Sequence, residues 1–443
     1  MKIQLSDHFT FSKLLRFTLP SITMMVFTSI YSVVDGLFVS NYVGKDPYTA
    51  LNLIWPLIMG MGALGFMMGS GGSAIVAKTL GEGKSEDARR YFSMVVYVTI
   101  IGSLLLSAIG LIFIRPISIA LGSTEELLPY SMLYGRILLI SLTFFMLQNV
   151  FQSFFATAEK PKLGLLIIVI AGVSNMILDY VFIVVLQWGL AGAAIATAVS
   201  QVIGGGIPLF YFLRHNSSLL RLVVTRFELR PLWKTCTNGS SELMTNLSSS
   251  LVNILYNLQL MKLTGQDGVA AFGTIMYVFF IFIAIYIGYA MGCAPLIGYH
   301  YGAGNHKELK NLLTKSLVLM GILGVLLTIA AEVLAAPLSK LFVGYDPELY
   351  ALTCHAFRLY AFSFLVTGFN IYGSAFFTAL NNGGFSAAIS FLRTLLFQVA
   401  MIYLLPIFFD LDGIWLAVTA AECLTLVITI IFLITQRKHY HYA

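Results

Sequence analysis

The stretch LGLLIIVIAGVSNMILDYVFIVVL, residues 163–186, decides how the chain folds. It carries one charge, Asp179, and is too long for a buried strand. At 1.5 Å per residue a helix of this length crosses a hydrocarbon core of about 30 Å. The pattern recurs on both sides, at 130–156 and 190–213, and then at 11–40, 51–77, 91–114, 236–261, 270–299, 316–336, 350–379, 385–408 and 413–435. The 58% hydrophobic content, 10% charged content and mean hydropathy of +0.87 lie outside the range of soluble domains. The first span is longer than a signal-peptide core, holds Asp35 and has no small-residue cleavage site behind it, so it is expected to stay in the mature protein.

Lys and Arg sort strongly between alternate loops. One side holds Lys2, Lys13, Arg16, Lys78, Lys84, Arg89, Arg90, Lys160 and Lys162. It also holds Arg214, Arg221, Arg226, Arg230, Lys234, Lys307, Lys310, Lys315, Arg437 and Lys438. Lys45, Arg115, Lys262 and Lys340 stand on the other. The excess predicts that both termini are cytoplasmic. The net charge of +6 is thus spread over short loops, which speaks against a nucleic-acid partner. Cys236, Cys293, Cys354 and Cys423 show no paired spacing, so neither a disulfide nor a metal framework is expected.

Shifting the chain by 221 or 222 positions lays it on itself. Gly81-Glu82-Gly83-Lys84 falls on Gly302-Ala303-Gly304-Asn305, Ala50 on Ala271, Arg136 on Arg358, Phe154-Phe155 on Phe376-Phe377, and Gly192 on Gly413. The expected fold is an all-α integral membrane protein of twelve transmembrane helices in two pseudo-symmetric six-helix lobes. The lobes span 1–213 and 236–443, with a cytoplasmic linker at 214–235. An even number of spans per unit gives both copies one orientation and puts the symmetry axis along the membrane normal.

Two glycine-rich runs imitate nucleotide motifs. Gly83-Lys84-Ser85 lacks the upstream Gly of a phosphate loop, Lys78 standing there, and Gly69-Ser70-Gly71-Gly72 lies inside a span, where small residues let helices approach. No His-Glu-x-x-His or Gly-x-Ser-x-Gly motif is present, so an enzyme is not expected.

Charges inside spans are costly, at least about 2.5 kcal/mol at the bilayer centre, and mark function. Tyr31 and Asp35 lie one helical turn apart on the first span, and Asn175 and Asp179 one turn apart on the fifth. If the two faces meet, the carboxylates could hold Na⁺ among oxygens or share a proton. The repeat puts Tyr256 opposite Asp35 and Ala400 near Asp179, so the second lobe lacks both acids. Glu242, Tyr256 and Arg393 form a candidate polar site there, while Glu332 and Glu422 are better read as structural. Met24, Met25, Phe144, Phe145, Phe151 and Phe154 are candidates either to line a substrate cleft or to pack between helices.

The runs Val34-Asp35-Gly36-Leu37-Phe38-Val39 and Asn175-Met176-Ile177-Leu178-Asp179-Tyr180, the paired Gly-x-Gly loops and the twelve-span plan resemble the multidrug and toxic compound extrusion (MATE) transporters, especially their bacterial branch. That resemblance implies a multi-pass transporter of the plasma (inner) membrane. It would export lipophilic, often cationic compounds in antiport with Na⁺ or H⁺, as a monomer in the lipid bilayer and with no cofactor beyond the coupling ion. It further implies a cation site of Asp35, Asn175, Asp179 and Thr197, surrounded by Tyr31, Asn149 and Gln152; at the last position the relatives carry Asn. A lipid-linked precursor flippase of the same superfamily is the alternative, and would need a cleft richer in Arg and Lys than Arg393 alone provides.

Overall fold

The computed structural model describes residues 3–442; Lys2 lies outside them. Among the described residues there is no strand. The first lobe consists of α1 (Phe11–Tyr42), α2 (Lys45–Gly81), α3 (Ser85–Ala120), α4 (Leu128–Thr157), α5 (Pro161–Asp179) and α6 (Gly189–Leu213). Beyond Asp179, α5 runs on through a π turn, Tyr180–Val185. The second lobe opens with α7 (Leu229–Thr264), α8 (Gln266–Gly302) and α9 (His306–Val343). Its tenth span, α10, is broken into Pro347–Ala361 and Phe364–Ala379, which meet at 47°. The final helical run contains Asp410 at φ 47°, ψ −127°, which divides it into α11 (383–409) and α12 (411–440). α11 carries its own π turn at Leu392–Leu396.

These are the twelve spans expected. α7 is the one too polar to qualify on hydropathy among the described residues. Its hydroxyls and amides turn inward on their own helix: Thr245 donates to Ser241 O, Asn246 to Glu242 O and Ser249 to Thr245 O. Back-bonding of this kind satisfies side chains without calling on water.

The duplication is visible in how the lobes touch. A Cβ on Gly81 would lie 2.0 Å from Tyr299 O, and one on Gly302 would lie 2.0 Å from Lys78 O. Tyr299 and Gly302 are the repeat partners of Lys78 and Gly81, so the ends of α2 and α8 pack on each other reciprocally about a pseudo-two-fold axis. The turn after each helix needs φ > 0, at Gly83 (77°) and Gly304 (65°), which glycine adopts without strain. Deeper in, Gly239 of α7 sits on Met67 O, and Gly288 of α8 on Ser21 and Ile22 of α1. The same face carries both chain ends: Phe9 bonds to Glu308 at the start of α9, and Tyr440 packs on Tyr301. The lobes therefore close on the face that holds the termini and the basic loops. On the far side α7 turns Leu251, Ile254 and Leu258 outward.

The connection between lobes is tied down rather than loose. It runs extended until α7 begins at Leu229. Val223 N–H donates to Ser93 Oγ and Arg89 Nε to Leu219 O, while Leu220 and Leu222 are buried. Beneath it Phe92, Phe151, Phe154 and Phe212 form an aromatic cluster with centroids 4.8 to 6.4 Å apart. Of the residues considered for a cleft lining, Phe151, Phe154 and Met24 are at most 2% exposed, which makes them packing residues. Phe145 meets Gly62 of α2, and the Phe144 backbone meets Gly205 of α6.

Candidate functional site

α1 and α5 lie side by side, and Gly172 sets how closely. A Cβ there would fall 2.6 Å from the Phe27 ring and 2.7 Å from the Tyr31 ring. Two turns further along α5 comes Asp179, fully buried, with Asn175 at 2% exposure. Asp35 of α1 faces both. The Tyr31–Asp35 face of α1 and the Asn175–Asp179 face of α5 therefore lie together in this structure. Asp179 ends the regular part of α5, immediately before its π turn, a distortion common at functional sites.

The hydrogen-bond inventory of this pair is the unusual feature. Asp35 Oδ1, both carboxyl oxygens of Asp179 and Asn175 Nδ2 are sealed from solvent and have no hydrogen-bond partner. No Lys, Arg or His pairs with either carboxyl among the described residues. Buried polar groups are almost always satisfied, and each exception needs a reason. The pair therefore has unmet hydrogen-bonding capacity, and three unpartnered carboxyl oxygens are of the kind that suits a proton or a small hard cation.

The surrounding residues divide. Tyr31 faces Gln148 of α4, a residue the sequence reading passed over. Tyr134, also on α4 and 1% exposed, lies near both carboxyls and was likewise missed. A signal existed: Tyr134 and Gln148 stand about four turns apart on one stripe of α4. Asn149 instead donates to Gly62 O of α2 at 3.5 Å, and Gln152 is buried without a hydrogen bond to the pair. Thr197 is half-buried on α6 and makes no hydrogen bond to it either, although Ser200 one turn on ties α6 to Ala171 O of α5.

The second lobe holds a different arrangement. Arg393, inside the π turn of α11, pairs through Nε with Glu422 Oε1 at 3.0 Å, the two side chains being 12% and 2% exposed. Asn370 of α10 donates to Glu422 Oε2 at 2.7 Å, and Thr429 Oγ1 donates to Asn370 Oδ1 at 3.0 Å. Glu422, read above as structural, is thus the centre of a satisfied network. Glu242 lies within the field of Arg393. Tyr256 takes part in packing: it donates to Ile414 O at 3.0 Å and stacks on Phe272 with centroids 4.7 Å apart. Glu332 sits 3.9 Å from exposed Arg358, a loose pair at the interface.

With this geometry in hand, the chain can be set beside known proteins. The MatE family model matches it twice, over residues 20–181 and 243–404, once in each lobe. The chain belongs to the MatE family. That family comprises transporters, not enzymes. Among curated relatives, the "Multidrug export protein MepA" of Staphylococcus haemolyticus is 23% identical over 433 residues, covering 96% of this chain and 94% of that one. An "FAD transporter" of Shewanella oneidensis is 24% identical over 341 residues, covering 76% and 75%. Among solved structures, a MATE protein in complex with MaL6 superposes with a TM-score of 0.93 at 21% identity, over 98% of each chain. The two-lobed MATE fold is therefore that of this protein.

Proposed function

We propose that this MatE protein is a secondary multidrug exporter in which the Asp35–Asp179 pair couples Na⁺ or H⁺ entry to efflux of lipophilic, often cationic compounds. The four orphaned polar atoms of Asp35, Asp179 and Asn175 carry the reading. Efflux as the activity follows from the kinship with MepA. Basic loops on the face where the lobes close would make that face cytoplasmic, and the cleft would then open to the outside.

In that state the pair takes a cation from outside. Its neutralisation removes the repulsion between α1 and α5 and weakens the hold on a cationic compound in the cleft. A ligand shifts a two-state equilibrium only through unequal affinity for the two states. The Gly81–Tyr299 and Gly302–Lys78 contacts must part for the inward state to form, and release of the ion to the cytoplasm then resets the pair. Thr197, Asn149 and Gln152 would complete the coordination or its hydrogen bonds only once an ion is present.

Transport of a pyrophosphate-bearing lipid or of an anion such as FAD would need free cationic side chains. Arg393, the candidate for that task, is committed to Glu422. The geometry therefore favours cationic cargo over the flippase alternative.

Reconstituted vesicles with separately imposed Na⁺ and pH gradients, assayed with an organic dye cation, FAD and a lipid-linked sugar, test the reading. One gradient should drive dye efflux, and neither anion should move. Asp35→Asn and Asp179→Asn should each abolish gradient-driven efflux while the protein still purifies folded. Unchanged dye transport in both variants would sink the coupling assignment.

A further inference from the structure

Below the Gly172 contact, towards the basic face, α1 and α5 separate to leave a groove of about 470 Å³ open to the membrane. Its walls are Leu19, Pro20 and Thr23 of α1 with Leu165, Leu166 and Val169 of α5, and Lys162 stands at its end. The two stripes share one register. Leu19, Pro20 and Thr23 each lie 146 positions before Leu165, Leu166 and Val169, and the same step carries Arg16 to Lys162. Helical spacing places Arg16 one turn before Leu19 and Pro20 on the α1 side, as Lys162 stands one turn before Leu165 and Leu166 on the α5 side.

The polar inventory of the groove is short. Thr23 Oγ1 donates to Leu19 O at 2.9 Å, so its hydroxyl proton is already committed within α1. Lys13 is taken by Asp7 at 2.8 Å, Lys160 by Ser217 at 2.9 Å, and the Glu159 carboxylate receives Leu5 N–H. Arg16 and Lys162 are exposed and have no partner among the described residues. The outcome is an apolar slot with two unpaired cations at its basic end and no acid within it to receive an ammonium group.

We propose that this groove binds one anionic phospholipid of the cytoplasmic leaflet, its phosphate between Arg16 and Lys162 and an acyl chain along Leu19, Pro20, Leu165 and Leu166. The placement rests on the orientation adopted above; the binding itself does not depend on ion coupling. Cytoplasmic leaflets are rich in such lipids, and basic residues at the surface attract them. The position has a consequence. Pro20 has no N–H, so the Arg16 carbonyl one turn back lacks its helical donor and α1 is pliable at this point. A chain filling the groove props α1 against α5 there, on the two helices that carry Asp35 and Asp179. The lipid thereby regulates bending of α1.

Native mass spectrometry of the purified full chain, titrated with a palmitoyl-oleoyl phosphatidylglycerol or with the matching phosphatidylcholine, tests this. The wild type should retain one phosphatidylglycerol at least tenfold more strongly than phosphatidylcholine. Arg16→Gln/Lys162→Gln should lose that preference, and Lys307→Gln/Lys310→Gln, basic positions on the same face outside the groove, should keep it. Leu166→Trp fills the slot without touching the charges and should also lose the lipid. Equal retention of the two lipids, or undiminished phosphatidylglycerol binding in the double variant, overturns the site. Undiminished binding in Leu166→Trp overturns the chain-in-groove placement, and displacement of the lipid by a dye cation assigns the groove to substrate instead. Retention is read without transport, so failed coupling at Asp35 and a failed lipid site are separately visible.

Discussion

Replacing Gly302 by Ala tests the reciprocal seal between the lobes. The added Cβ would stand 2.0 Å from Lys78 O, a backbone atom that cannot swing aside. Because real Cβ contacts stay at 3.0 Å or beyond, the ends of α2 and α8 must part by about 1 Å. Overpacking of this kind costs about 1–3 kcal/mol. The cost falls on the state closed at the basic face and is absent where α2 and α8 have parted. The equilibrium should therefore move by about 5- to 150-fold towards opening on that face. A minor state at about 1% would rise to between about 5% and about 60%.

Spin labels on Glu82→Cys and Lys307→Cys, in a chain whose accessible cysteines Cys236, Cys354 and Cys423 are replaced, would report the change as a longer inter-lobe distance population. Gly273→Ala is the control: nothing lies within 4 Å of its Cβ, so its distances should not change. Gly81→Ala should act as Gly302→Ala does. The double variant should cost less than the sum of the two, because one separation relieves both clashes. A wild-type distance distribution and melting temperature in Gly302→Ala would refute the reasoning.

Two further predictions concern stability. Glu422→Ala leaves Arg393 nearly buried without its partner and should lower stability by about 3–5 kcal/mol, while Arg393→Met/Glu422→Leu should recover most of that in a thermal melt. At the basic face, burial pushes the Glu308 carboxyl up, but hydrogen bonds from Phe9 N–H, His8 and Asn311 outweigh it and hold the group below its ordinary value of 4.5. A depressed carboxyl stabilises the fold above the unfolded value and loses that contribution as pH falls through the folded one. The melting-temperature gap between wild type and Glu308→Ala should thus be full at neutral pH and shrink below about pH 4.5. A gap that grows on acidification would contradict the assignment.

Much of this architecture was legible because membrane physics is strict. Apolar length located the spans, and duplication located the lobes. Gly192 and Gly413, aligned by the repeat, both turn out to sit against the backbone ending the preceding span, at Phe182 and at Leu405. What escaped were features that depend on which helix faces meet. Tyr134 and Gln148 look like ordinary residues of an apolar span until the fold brings these α4 side chains near Tyr31 and the two carboxyls. Glu422 looked isolated because Arg393 and Asn370 lie 29 and 52 positions away. α7 begins at Leu229, inside the linker expected at 214–235, because the charged and polar residues of its first two turns do not read as part of a span.

The contrast between the lobes also argues for where coupling resides. Both bury carboxylates beside a π turn, but the second lobe closes its network: Glu422 accepts from Arg393 and from Asn370, and Asn370 from Thr429. A cation entering there would have to displace an arginine, leaving that charge buried and unpaired at a cost of several kcal/mol. In the first lobe nothing need be displaced. Asp35 and Asp179 carry unmet acceptors, Asn175 an unmet donor, and the helices holding them are pliable at Pro20 and irregular beyond Asp179. Binding there adds contacts instead of exchanging them, and the helices it draws together are those whose spacing Gly172 sets. Under the proposed coupling, an ion would therefore bias the shape of the first lobe at a small energetic penalty, whereas the closed Arg393–Glu422 network of the second resists the same exchange.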